Sequence, residues 1–334
     1  MLVITWEALD ALSHQFELCG IGPRSRVIAL LQDGPLADLA RAALARSRAD
    51  VLDVRSVHHP DDGQAPLGRN PLLHSLLASA DVIVDGLGEP APIAVPVHAR
   101  LLRLQPPAVD AHRWPPHANL GHRVDRAVEH VEKAKVLYLG DRHGTSLEVR
   151  VDGALVDSDG GRPAEDGGAA AFPSGWVRLT PAKARVDGQV VLMPGDVNLA
   201  RGTHIDAPIR LEIRNDLITT IDGDHASADV LRALLEHFDR ADAYGAAHLG
   251  LGLNPGCARP QRLFDDELLD PIVSQLRAGV VTLAFGENLV ADRPCPGVIE
   301  LVLPGRTMVA DTTALSVEGE LVGDVAPDVY EAPG

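Results

Sequence analysis

Apolar residues change their period part-way along this chain, and that change sets its architecture. Up to about residue 140, short apolar runs alternate with helical stripes. RVIALL (26–31) has the length and composition of a buried strand, and Leu36, Leu39, Ala40, Ala43 and Leu44 then recur at the spacing of a helix packed on a sheet. VLDV (51–54), PLLHSLLASA (71–80) and DVIVDG (81–86) repeat the cycle, and a helix over about 123–134 leads into KVLYLG (135–140). Such repetition predicts a parallel sheet with helices on its faces. From Gly144 the period falls to two. SLEVRV (146–151), WVRLTP (176–181), QVVLMPG (189–195), IRLEIRND (209–216) and LITTIDGD (217–224) read as strands, the last two as a hairpin turned at Asn215-Asp216. A helix over 227–240, a Gly-rich strand, a helix near 267–278 and further strands follow. The fold class expected is an α/β N-terminal domain with a parallel, Rossmann-like sheet over 1–141, then a strand-rich α+β C-terminal domain over 142–334. Residues 158–168 read as an exposed Gly- and Asp-rich loop inside the second domain. Two domains also suit 334 residues, more than one core usually serves.

Charge and ring content narrow the partners. Thirty Lys and Arg against 47 Asp and Glu leave a net charge of −17, a field that repels phosphate backbones and anionic membranes. Aromatic residues make up only 3%, too few for a base-stacking surface, so no nucleic acid is expected and a neutral or cationic ligand suits the overall charge better. The first residues carry Glu7 and Asp10 and no basic leader, and no apolar run approaches the roughly 18 residues of a spanning helix, which predicts a soluble, cytoplasmic protein with no membrane partner. Cys19, Cys257 and Cys295 are far apart and odd in number, which argues against a disulfide framework or a zinc cluster.

Several motifs are excluded by their spacing. Gly20-Ile21-Gly22 and Gly86-Leu87-Gly88 lack the third glycine of a dinucleotide fingerprint. None of the fourteen histidines falls in an H-E-x-x-H pair, and Ser174 is not in G-x-S-x-G. His58-His59 before Pro60-Asp61-Asp62 reads as a cleft-edge loop or a solvated turn. Cys295 between two prolines is a thiol nucleophile only if His248 is its neighbour, and otherwise a buried, inert thiol. The most informative stretch is AYGAAHLGLGLNPG (243–256), where His248 opens a Gly-alternating strand ending in the turn Asn254-Pro255-Gly256. Missing side chains there let a backbone or a ligand come close.

Taken in order, GTSL (144–147), FPSGW (172–176), VVLMPGDV (190–197), IRLEIRNDLITTIDG (209–223), AYGAAHLGLGLNPG, LAFGEN (283–288) and CPGVIELVL (295–303) resemble the 2,5-dihydroxypyridine 5,6-dioxygenase family, which is related to the aminopeptidase T-like metallopeptidases. The resemblance covers the second domain and is topological in the first. It implies an iron ligand at His248 and two more from an H-x-D element that is similar here to Val298-Ile299-Glu300. The carboxylate is kept as Glu300, and valine stands in place of the imidazole. The peptidase branch also implies a glutamate where this chain has Trp176 and a histidine near Thr282. A non-haem iron centre usually presents two imidazoles and one carboxylate, so the expectation is a degenerate metal site with no cofactor. His204, in His204-Ile205-Asp206, is the candidate for a relocated third ligand, with His225 nearby in sequence.

Two functions follow from these residues. The first is a binding protein whose cleft, marked by Trp176, His248, Gly250, Asn254 and Glu300, holds a peptide or small amine-bearing molecule, as a substrate presenter in a modified-peptide or natural-product biosynthetic pathway. The alternative is a ring-cleaving dioxygenase or hydrolase using Fe(II) or Zn on His248, Glu300 and a third group such as His204. The resemblance also implies a homo-oligomer, such as a dimer, or a heteromer with a related protein.

Overall fold

The structure is a computed structural model that describes residues 4–55, 71–87, 95–164, 167–258 and 270–328. The chain divides into two units, Met1–Gly121 with Asp159–Ser174, and His122–Ser158 with Gly175–Gly334.

In the first unit, α1 (Trp6–Leu18), β1 (Arg26–Leu31), α2 (Pro35–Ser47), β2 (Asp50–Arg55), α3 (Pro71–Leu77), β3 (Val82–Gly86) and β4 (Arg100–Leu104) follow in order. The sheet order is β2-β1-β3-β4, all parallel, closed at its far edge by a later strand (168–172). Both faces are buried, as an all-parallel sheet requires. Leu12 and Phe16 of α1 and Leu39, Ala40 and Ala43 of α2 pack on one face against Val27, Ala29 and Val84. Leu77 and Ala80 pack on the other against Ile28, Leu30 and Ile83.

The second unit holds α4 (Leu120–Lys133), whose first two residues belong to the first unit, then β5 (Val136–Gly140), β6 (Ser146–Arg150) and β7 (Leu155–Asp159). After β8 (Gly168–Phe172), which is the edge strand of the first unit's sheet, come β9 (Trp176–Thr180), β10 (Val186–Leu192), β11 (Val197–Asn198) and β12 (Thr203–His204). Next are β13 (Ile209–Arg214), β14 (Leu217–Asp222), α5 (Ala226–His237), β15 (Ala246–Gly252) and α6 (Val273–Leu276). The chain finishes with β16 (Val281–Asn288), β17 (Arg293–Leu303), β18 (Thr307–Ala310), β19 (Thr313–Val317) and β20 (Glu320–Leu321). They form an eight-stranded sheet, β14-β13-β10-β6-β5-β18-β19-β20, and a seven-stranded sheet, β12-β11-β17-β16-β15-β9-β7.

The parallel sheet and the strand-rich unit agree with the period change, but the boundary differs from the expected one near Asp141. α4 and β5 belong to the second unit, where β5 pairs antiparallel with β6 and β18. The stretch 158–168 is also not a loop of that unit. From Asp159 the chain returns to the first unit and adds β8 parallel to β4. GAAAF (168–172) has neither alternation nor β-branched residues, so its composition hides a strand whose pairing is carried by backbone groups. The return is tied down by Asp159, which accepts the Ala171 N–H at 2.7 Å, and by Gln15, which donates to the Gly161 carbonyl at 2.6 Å. Among the described residues no helix is long and apolar enough to cross a membrane.

Candidate functional site

The seven-stranded sheet builds the site on one face. β9 alternates half-buried Trp176, Arg178 and Thr180 with buried Val177 and Leu179. On β17, Val298 and Glu300 share a face, while Ile299 and Leu301 point into the core. The register aligns His248 with Ala284 and Ala284 with Glu300, and antiparallel partners lie on the same side of a sheet. His248 and Glu300 therefore sit two strands apart, separated only by the small Ala284. A β-bulge between Ala246 and His248 interrupts the ladder just before the histidine. Bulges of this kind re-aim the following side chain.

The side chains form one connected chain of contacts. His248 Nε2 lies 3.3 Å from Glu300 Oε1, and Gln275 Nε2 donates to Glu300 Oε2 at 2.6 Å. Arg178 in turn donates to Gln275 Oε1 at 3.2 Å, and its guanidinium lies 4.8 Å from the centre of the Trp176 ring. The His248 and Glu300 side chains are 12% and 15% exposed, dry enough for their charges to matter and open enough to be reached. Burial pushes the His248 imidazole below its ordinary value, the hydrogen bond to Glu300 opposes this, and the Arg178 charge pushes it down further. The balance favours the neutral imidazole.

The glycines have a packing role. A side chain on Gly252 would place its Cβ 2.2 Å from the Arg277 carbonyl oxygen, and one on Gly250 would fall 2.5 Å from Thr282 Oγ1. The glycine at 252 thus lets the backbone after α6 lie against β15, which brings Gln275 to Glu300. Asn254 serves the same end. It is buried, its side chain accepts the Gly256 N–H, and its backbone bonds Leu276 and Ala278.

Of the residues singled out from sequence, the structure unites Trp176, His248 and Glu300, while Gly250 and Asn254 support them. Trp176 does not offer a bare face, because Arg178 lies over its ring. His204 is not brought to the pair. It sits on edge strand β12, exposed, with Nδ1 3.3 Å from the Gly195 carbonyl oxygen. His225 instead faces Asp206 at 3.2 Å. Cys295 is buried, as are Cys19 and Cys257, and burial pushes the Cys19 thiol up to about 11. His58, His59, Pro60, Asp61 and Asp62 lie outside the described residues, as does the first part of the helix expected near 267–278. Arg178 and Gln275 were absent from the expected site. Alternation two residues beyond Trp176 signals Arg178, whereas nothing local marks Gln275, which arrives through the fold.

A cavity of about 580 Å³ in the second unit lies elsewhere, among the turns at 140–143, 193–196 and 304–307. Its floor is buried Arg306 between two carboxylates, with Nε 2.9 Å from Asp141 Oδ2 and an η-nitrogen donating to Asp196. Burial raises the Asp196 carboxyl to about 6 against the opposing pull of Arg306. The two acids are held by the arginine, and the His143 ring in the lining meets Arg142 Nε at 3.3 Å.

Comparison with known proteins places the chain in a family. The profile of the 2,5-dihydroxypyridine 5,6-dioxygenase (NicX) family matches residues 7–323. The chain belongs to that family. A 2,5-dihydroxypyridine 5,6-dioxygenase of Pseudomonas putida KT2440 is 28% identical over 232 residues, spanning 65% of this chain and 66% of that protein, just under two thirds of its length. The solved structure of 2,5-dihydroxypyridine dioxygenase from the same organism superposes with a TM-score of 0.74 at 22% identity, covering 95% of this chain and 97% of that one, which shows a shared fold.

Membership in the NicX family corrects the expectation that no cofactor is needed, because its dioxygenases use a metal, iron. His248 and Glu300 supply one neutral nitrogen and one carboxylate on the same face, and residue 298, on that face beside Glu300, is a valine without a donor. No group of three or more His, Cys, Asp or Glu converges among the described residues. Those residues therefore fall one donor short of the usual facial set.

Proposed function

We propose that this chain is an oxygenase of hydroxylated aromatic rings, with its reacting centre at His248 and Glu300. The reading is carried by the half-buried imidazole–carboxylate pair kept in a chain that matches the dioxygenase family over residues 7–323. The substrate class follows the relatives, whose names specify 2,5-dihydroxypyridine.

The chain's own residues supply proton handling and orientation. As a carboxylate, Glu300 accepts from Gln275 and from the His248 Nε2–H, which fixes the tautomer and leaves the Nδ1 lone pair as a base. A ring hydroxyl brought to Nδ1 gives up its proton there, and Glu300 stabilises the resulting imidazolium. The ring oxyanion so formed is richer in electrons and more open to attack by oxygen. Because the imidazole titrates below its ordinary value, it is the free base at neutral pH, as a general base must be. Gln275 anchors the carboxylate, and Arg178 supplies positive charge beside the site.

A second reading, capture of a peptide or amine-bearing molecule on the same face without turnover, is favoured by Val298. Oxygen uptake separates the two. Protein supplemented with Fe(II) and given 2,5-dihydroxypyridine should consume one O2 per ring lost, and His248→Ala should slow this on the order of 100-fold or more. Saturable binding of an amine-bearing peptide, with no uptake on any hydroxylated pyridine or benzene, would overturn the oxygenase reading in favour of the second.

A further inference from the structure

Arg178 differs from several half-buried and buried arginines in how its charge is met. Arg306 pairs with Asp141 and Asp196, Arg293 with Asp216, Arg41 with Asp53 and Arg185 with Asp152. In a chain with 47 acids and 30 bases, carboxylate partners are abundant. Arg178 nevertheless has no carboxylate partner among the described residues. Its polar contact is the neutral Gln275 Oε1, which takes one of five guanidinium N–H donors.

The guanidinium is also held in place. Its contact over the Trp176 ring and its bond to Gln275 restrain it, on the strand position that shares a face with His248 and Glu300, and leave further N–H donors for a ligand. A stacked guanidinium suits planar, two-pronged recognition of an oxyanion. Glu300 sets a limit on that anion. Its carboxylate already places one negative charge on this face, which disfavours a phosphate dianion and leaves a planar monoanion as the better match. The overall charge of −17 pointed to a neutral or cationic ligand, but at contact distance the local guanidinium outweighs a screened surface field.

We infer that Arg178 is a specificity-determining residue of this site and that it makes the site prefer a hydroxylated ring that carries a carboxylate. The inference rests on the ring-binding reading above and adds the anionic substituent to it. Calorimetric titration under anaerobic conditions compares 2,5-dihydroxybenzoate with hydroquinone, two rings that differ by the carboxylate alone. Wild-type protein should bind the carboxylated ring at least about tenfold more tightly, within the range of a charge-assisted hydrogen-bond pair. Arg178→Met, which keeps the length and loses the charge, should weaken the carboxylated ring at least about tenfold more than it weakens hydroquinone. Arg178→Lys should keep part of the preference.

Equal affinity of the wild-type protein for the two rings overturns the inference and leaves the ring-binding reading standing, and this arm needs no variant to fold. An Arg178→Met variant that weakens both rings alike also overturns it, since the arginine would then act only by supporting Gln275 and Glu300. Failure of both rings to bind overturns the ring-binding reading together with the inference.

Discussion

Asp216 occupies the β13–β14 turn with a φ of 74°, and its carboxylate accepts the backbone N–H groups of Ala184, Arg185 and Val186. It also pairs with Arg293 at 3.2 Å, and the side chains are only 1% and 9% exposed. Arg293 bonds the Ala246 carbonyl just before the bulge that precedes His248, so the pair anchors the entry to the site strand. Asp216→Asn keeps a residue that tolerates the left-handed turn but leaves the arginine without a countercharge. It should cost about 3–5 kcal/mol in urea unfolding, and a loss below about 1 kcal/mol would contradict the anchoring role. His248 gives a pH test at the same scale. Its imidazole is held below the ordinary value chiefly by burial, so the folded protein binds fewer protons than the unfolded chain just below pH ~6.5, and its contribution to stability declines as pH falls through that value. In NMR titration of chelator-treated protein, His248 should titrate below ~6.5, and Glu300→Gln should lower it further by removing the group that pulls it up. A midpoint at or above the ordinary value would contradict the assigned burial.

Gly252 lets β15 and the segment after α6 approach, because they can do so only where no side chain intervenes. Gly252→Ala would push the Arg277 carbonyl away from its 2.2 Å clash and pull Gln275 off Glu300. The expected cost is about 1–3 kcal/mol, measured by urea unfolding, together with weaker ring binding; unchanged stability and binding would show that this approach is not needed. Much of the element pattern is legible in the sequence, and the exceptions have physical reasons. RVIALL and the Leu36–Leu44 stripe show their burial directly, and Asn215-Asp216 marks its hairpin with two consecutive residues at positive φ. α1 has a sparser stripe of Ala8, Leu12, Gln15 and Phe16, and β4 (RLLRL) mixes arginine into a buried strand, so neither gives a clear period. At the site, the alternation of β9 and β17 makes Arg178 and Glu300 readable. Gln275 is not, because its place depends on a contact between distant segments.

For the whole molecule, the chain crosses between its units three times, after Gly121, Ser158 and Ser174, so its domains are not cut where the apolar period changes. A period reports local structure, whereas membership of a unit is decided by pairing across long separations. A fragment of residues 142–334 would lack β5, which lies between β6 and β18 in the eight-stranded sheet, and would expose two unpaired edges. It should show no cooperative thermal transition by circular dichroism; a sharp transition resembling that of the full chain would contradict the assignment of β5 to the second unit. The family match spans both units, and His248 and Glu300, the proposed reacting centre, lie in the second. Backbone NMR mapping of the full-length protein titrated with 2,5-dihydroxypyridine tests that assignment most directly. Shifts should concentrate at residues 176–180, 246–250, 275 and 298–300, whereas shifts confined to the turns around Asp141, Asp196 and Arg306 would place the ligand in the other cavity and contradict the account.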